Sequence, residues 1–360
     1  MSVRVPAPPR RVRPATATAA EAATLALPWP DVYFTPGYGS AAALAEQAPW
    51  RLTHWHDRVL VPYLLRRVDA AHHDGISPYG YCGVHVRPGT TPADFAEFWA
   101  GAVSAWRAAG MVSMFLRFSP LDPHSAAVVR AAGVARLDWR GDTVTVPVGD
   151  GAAAVWAAMA GRSRTAVRKA ERVGLTADLR PAGRDDVTAG SPFRLLYERT
   201  MGRVGGTPGY LFTDPYYQTL TAGLGKDLLL TEVTGADGAT VASALVLRHG
   251  DRAHYHLSGS EPAAARDGAN NLLLWTVLRW AAETGCALVH LGGGRSPDDS
   301  LFAFKRSFGG RRTPFHTASV VLDARRYRAL VAARARELGR PVDALAADGF
   351  FPAYRLGGPR

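Results

Sequence analysis

NNLLLWTVLRWAAETGCALVHLGGGRSPDDSLFAFKRSFGG, residues 270–310, carries the reading on which the fold turns. Its first part is an apolar helix over 268–284, closed by Gly285, and a short apolar strand follows over 287–291. Three glycines come next, Gly292 to Gly294, and then a short helix over 300–308 carrying Phe304 and Lys305, ended by Gly309 and Gly310. A backbone that needs three successive glycines either passes close to something bulky or bends where a side chain forbids it. An ordinary loop at a helix cap is the other reading.

Upstream, three strands follow one another over 227–233, 240–248 and 253–260, joined by GADGA and HGDR, both sound hairpin turns. A three-strand meander, a crossover helix and a further strand make an α/β unit. Before it lie a strand over 142–148, a long helix over 150–173, a strand over 175–181 and helices over 193–204 and 214–224. After it come a strand over 312–322 and a helix over 324–338. The first half is similar and smaller. It has a hairpin over 50–68, a Gly/Pro/Tyr/His loop over 71–83 and a helix over 91–110, then a strand over 111–118, a helix from Asp122 and a strand over 134–139.

With 360 residues the chain has room for two domains, and 47% hydrophobic with 20% charged residues is a globular composition. No apolar run is long enough for a membrane helix. Cys82 and Cys286 are far apart and lack metal-ligand spacing, which fits a reducing cytoplasm, and no metal site is expected. His54 with His56, His254 with His256, and His72–His73–Asp74 lack a third ligand at diagnostic spacing. The net charge of +11 favours a polyanionic partner, although Arg greatly outnumbers Lys, a bias that high-GC coding also produces. The expected organisation is a disordered basic tail (1–27), an N-terminal unit (28–140), a C-terminal unit (141–340) and an extension (341–360).

Three segments carry a family likeness: GRSRTAVRKAERVGL (161–175), the helix–strand–glycine run 270–294, and DSLFAFKRSFGG (299–310), with DVYFTPGY (31–38) and SPYGYCG (77–83) in the first half. In these the chain resembles the Fem family of aminoacyltransferases within the wider GNAT superfamily of acyltransferases. The resemblance implies an α/β (α+β) fold of two tandem GNAT-like domains, the first truncated or degenerate. It implies an enzyme that forms an amide bond, moving an amino acid from aminoacyl-tRNA to an amine of a peptidoglycan precursor or a small biosynthetic acceptor. No other cofactor is implied. The family's lysine and the phenylalanine before it map onto Lys305 and Phe304.

An aminoacyl ester is already activated, so catalysis is mainly positioning and electrostatics. Lys305 is the candidate catalytic cation, for the developing oxyanion or the leaving oxygen, and Phe304 a wall of the acyl channel. Tyr255 and His256, on the last meander strand, and Tyr79, Tyr81 and Arg117 are candidates for acceptor or ester binding. Arg164, Arg168 and Arg172 form an i,i+4 stripe, joined by Lys169, with Glu171 as almost the only compensating acid. Such a stripe suits the tRNA acceptor stem, or is a solvated face. An acyl-CoA-dependent N-acyltransferase is the alternative. RDGANN (266–271) offers Arg266 and Gly268 before the crossover helix, without the glycine spacing of a pyrophosphate-binding turn. A non-catalytic RNA-binding protein on the same scaffold is the third reading. Base-specific DNA binding has no motif here.

Overall fold

The computed structural model describes residues 12–358, so residues 1–11 of the expected tail lie outside the described residues. The first half comprises β1 (Ala15–Thr18), α1 (Ala19–Thr24), α2 (Pro36–Ala45), β2 (Trp50–Trp55), β3 (Val59–Arg67), β4 (His73–Ile76), β5 (His85–Val86), α3 (Pro92–Ala108), β6 (Met111–Arg117), α4 (Pro123–Ala131) and β7 (Asp138–Pro147). The second comprises α5 (Ala152–Ala158), α6 (Gly161–Arg172), β8 (Thr176–Pro181), α7 (Pro192–Arg203), α8 (Asp214–Leu224), β9 (Leu228–Thr234), β10 (Thr240–His249), β11 (Arg252–Ser260), α9 (Pro262–Arg266), α10 (Ala269–Glu283), β12 (Leu288–Gly293), α11 (Ser300–Arg306) and β13 (Arg311–Val321). α12 (Ala324–Leu338) and α13 (Val342–Ala347) follow.

Among the described residues all strands join one 13-stranded sheet in the order β1-β2-β3-β4-β6-β13-β7-β12-β11-β10-β9-β8, with β5 on β3. The order is nearly symmetric about its centre. In one half β2, β3 and β4 form an antiparallel meander, and β6 lies parallel to β4 across α3. In the other β9, β10 and β11 do the same, with β12 parallel to β11 across α10. A parallel neighbour needs such a crossover, which explains why a long helix precedes β6 and β12. The final strands are exchanged. β7 pairs with β12 of the second half, β13 pairs with β6 of the first, and the two pair with each other.

One apolar core spans the two halves: Tyr33, Phe34, Tyr38 and Trp50 pack with Phe193, Tyr197, Tyr216 and Tyr217. There α2 crosses α8 at two glycines, and a Cβ on Gly223 would lie 2.8 Å from Gly37 Cα. Further cores sit under α3 of the first half and around α10 of the second.

Four segments depart from the sequence reading. Part of the expected tail is ordered: β1 pairs with β2, and α1 begins with a Thr18–Glu21 capping box. The loop expected over 71–83 contains β4, whose Asp74 is fully buried and is held by Arg66, Arg355 and the Tyr354 hydroxyl. The strands expected over 134–139 and 142–148 give way to one strand, β7, since pairing with β13 runs through Gly141. The helix expected over 150–173 breaks between α5 and α6. At the break the Ala160 amide donates to the Ser307 carbonyl at 2.8 Å, while Met159 turns extended and is buried.

Candidate active site

β11 and β12 pair only over Arg252–His254 and Leu288–His290, although β11 runs on to Ser260 and β12 to Gly293. Beyond that point the two strands part, and β12 follows β7 with a register shift between His290 and Gly292. The opening between them is filled from the first half by Tyr79 and Tyr81, on the segment that leaves β4, and by Arg117 at the end of β6.

Lys305 reaches this opening from α11. Its Nζ donates to the Gly293 carbonyl at 2.7 Å. Burial pushes its pKa down to about 8, with Asp299 acting weakly the other way. At neutral pH the ammonium is still the main form, although it gives up its proton more readily than a free lysine.

The glycine run is explained by the chain's own groups. Gly292 has φ 70, and a Cβ there would lie 3.3 Å from the Tyr81 hydroxyl and 3.6 Å from Lys305 Nζ. A Cβ on Gly294 would strike the Asp299 carboxylate. That carboxylate caps α11 through the Phe302 amide (2.8 Å) and also accepts from the amides of Arg295 (2.6 Å) and Ser296 (3.1 Å).

Tyr79, Arg117 and His256 converge. The Tyr79 ring lies 5.9 Å from His256, 5.8 Å from Tyr210 and 6.2 Å from Phe212. The Arg117 guanidinium sits 5.3 Å from the Phe315 ring centre and 6.0 Å from that of Tyr79, and its Nε donates to the Gly80 carbonyl at 2.9 Å. Burial, with His254 nearby, brings His256 down to about 3, so it is a neutral imidazole, 3.3 Å from the Tyr216 hydroxyl. The Tyr81 ring packs edge-on against His290 (4.7 Å) and Phe315 (5.3 Å).

Two candidates lie apart from this group. Tyr255, next to His256 on β11, faces the other side of the sheet and packs into the α10 core, where burial pushes it up to about 12. Phe304 packs edge-on against Phe308 at 5.3 Å in the same core.

The α6 cations do different work. Arg164 donates to the carbonyls of Trp156 (3.3 Å), Ala157 (3.1 Å) and Met159, closing the end of α5. Arg168 lies 5.4 Å from the Trp156 ring centre, Lys169 pairs with Asp267 at 3.0 Å, and Arg172 is exposed. α6 touches α11 directly, as Ser163 Oγ and Ser307 Oγ lie 2.7 Å apart. Arg162, Phe302 and Arg306 line a cavity of about 300 Å³ at this junction. A larger hollow of about 520 Å³, beside Trp139 and Phe350, gathers none of the site residues.

Sequence reasoning missed Asp31 and His290. Both are buried, and they come to the site through His254: Asp31 Oδ1 is 2.8 Å from His254 Nε2, and His254 Nδ1 is 3.4 Å from His290 Nδ1. The residues lie far apart in sequence, so no local motif could have joined them. The period-2 spacing of His254 and His256 was the only hint.

Residues 159–306 match the family described as the acetyltransferase (GNAT) domain. No curated protein matches the chain. Among solved structures it is similar to FemX, at 14% identity over 84% of this chain and 96% of that one, with a TM-score of 0.61. A conserved protein of unknown function from Bacteroides thetaiotaomicron aligns at 10% identity over 84% of this chain and 98% of its own, TM-score 0.56. L-PGS from Bacillus licheniformis aligns at 14% identity, over 79% of this chain and 85% of its own, TM-score 0.52. The chain has a Fem-like, GNAT-type acyltransferase fold, with the GNAT domain in its second half. Among the described residues no helix is long and apolar enough to cross a membrane.

Proposed function

We propose that this chain is an amide-forming acyltransferase that takes an amino acid from aminoacyl-tRNA and passes it to an amine, on a peptidoglycan precursor or a small biosynthetic molecule. The acyl carbonyl sits in the opening between β11 and β12. Lys305, as the ammonium, stabilises charge on the carbonyl or leaving oxygen, in a site where burial strengthens that interaction. Tyr79, Tyr81, Arg117 and His256 form the wall against which the acceptor is held.

The observation that carries the donor assignment is the contact of α6 with α11. A polyanion lying along Arg162, Arg168 and Arg172 is led directly to the helix that bears Lys305. The start of α10, where an acyl-CoA pyrophosphate would rest in a GNAT enzyme, is closed by α6. Gly268 has φ 93, a Cβ there would strike the Ala166 carbonyl, and Lys169 donates to the Arg266 carbonyl at 3.0 Å. The acyl-CoA reading retains the family match over 159–306 in its favour.

Binding of aminoacyl-tRNA as a function of salt tests the assignment. The double variant Arg168→Ala/Arg172→Ala should weaken binding and reduce the slope of log K against log salt by about 1 to 2. Unchanged affinity and slope would remove tRNA from this face. Arg164 is unsuited to the experiment, because its loss also uncaps α5.

A further inference from the structure

α6 and α11 meet at Ser163 and Ser307, and the cavity of about 300 Å³ at that contact has Arg162 on one side and Phe302, Ala303 and Arg306 on the other. Its size is at the small end of ligand-binding cavities. Phe302 and Arg306 are four residues apart, as are Ala303 and Ser307, so α11 turns one face to the hollow. Lys305 stands within the same turn of that helix.

Two guanidinium groups border this space with little to hold. Arg162 Nη2 reaches the Ala303 carbonyl at 3.5 Å, the long limit of a hydrogen bond, which brings the side chain across from α6 to α11. The Arg306 side chain makes no hydrogen bond or ion pair among the described residues. The one acid in the lining, Asp298, is engaged elsewhere. Arg312 binds it, reaches Asp142 at 3.0 Å and lies 4.9 Å from the Phe302 ring centre, so it is fixed on its own partners. Arg162 and Arg306 are exposed, so their mutual repulsion is screened while the cavity is empty. An anionic oxygen group seated between them gains a charge-assisted contact from each.

We propose that this cavity seats a phosphate of the acyl donor, held between Arg162 and Arg306. The proposal rests on the acyl-transfer reading above and narrows it to a donor whose phosphate lies close to its acyl ester. Position carries the argument. In an aminoacyl nucleotide one ribose bears both the ester and the nearest phosphate. In an acyl-CoA the whole pantetheine arm separates the thioester from the pyrophosphate. A phosphate seat on the turn that bears Lys305 therefore matches the terminal nucleotide of a charged tRNA and not coenzyme A.

The seat differs in kind from the exposed cations further along α6. Arg168 and Arg172 meet any phosphate backbone and add to overall affinity. A cavity beside the acyl site registers where the strand ends, and so fixes the ester relative to the Lys305 ammonium. Arg162 and Arg306 are thus binding residues that position the donor, and neither touches the reacting atoms.

A cycle between protein and RNA variants tests the seat. Two RNA hairpins share one stem, the first ending in a single-stranded CCA and the second blunt. Each is titrated with the full chain, with Arg162→Gln and with Arg306→Gln. Neither side chain is buried or strongly bonded, so both variants should fold as the wild type does. Each should weaken binding of the CCA hairpin by about tenfold and of the blunt hairpin by less than about twofold. Equal losses on the two hairpins, or no loss on either, would overturn the seat and leave tRNA as the donor. Coenzyme A is the second probe, and its binding should not depend on Arg162 or Arg306. A chain that binds neither hairpin would refute the tRNA donor and the seat with it, whatever its affinity for coenzyme A.

Discussion

Lys305 pays for its place in the site with folding stability. Its pKa falls from 10.5 to about 8 on folding, chiefly through burial, so the unfolded chain binds the proton more tightly between those values. Stability from this group therefore rises with pH through the window from about 8 to 10.5, and the full penalty, about 3 kcal/mol, applies below it. Part of that is offset by the bond to the Gly293 carbonyl. Lys305→Met should accordingly stabilise the fold by about 1 to 3 kcal/mol at pH 7, with the gain fading as pH rises toward 10.5, while transfer is lost. Urea melts of the two proteins across this pH range check it; a variant less stable than wild type at pH 7 would mean that Lys305 is a structural group. If Lys305 acts as the ammonium, as proposed, the wild-type rate should fall as pH rises through about 8.

At the scale of elements, glycine marks where backbones meet. Gly223 of α8 faces Gly37 of α2, backbone against backbone, with no side chain able to yield. Gly223→Ala should destabilise by about 1 to 3 kcal/mol, seen as a lower midpoint in denaturant melts with an unchanged slope. No shift would mean that the helices slide apart at little cost. Strong periodicity made most elements legible from sequence: the 50–68 hairpin, the helix after Thr91, the β9–β11 meander and the crossover helix α10 all lie where apolar spacing and turn residues put them. What spacing could not show were breaks imposed from elsewhere in the chain. α5 and α6 read as one helix because the cause of their separation, the Ser307 carbonyl, is far away in sequence. β4 read as loop because four residues containing Asp and Gly are strand-like only when β3 and β6 flank them. The same holds at the site. Lys305 and the Tyr79–Tyr81 segment stand out by motif, but Arg164 looked like a surface cation until the carbonyls it closes were in view. Asp31 gave no signal at all.

The whole molecule is two similar halves locked by exchange of their last strands, and this arrangement creates the site. β12 needs β7 to hold it away from β11, and β7 comes from the first half. The first half then fills the opening with Tyr79, Tyr81 and Arg117, while the second supplies Lys305 and His256. The first half's own parallel pair, β4 with β6, is closed beyond Ser77 by a bridge between Cys82 and Phe118 and is covered by the chain end through Tyr354 and Arg355. We propose that this opening transfers an amino acid from tRNA, with the Lys305 ammonium as its charge. Its most direct test follows labelled amide formed on an amine acceptor by the purified full chain, offered charged tRNA or labelled acetyl-CoA in parallel. Amide should form from the tRNA pool and be abolished by RNase treatment of the donor and by Lys305→Ala. Product drawn from acetyl-CoA alone, or full activity in Lys305→Ala, would contradict it.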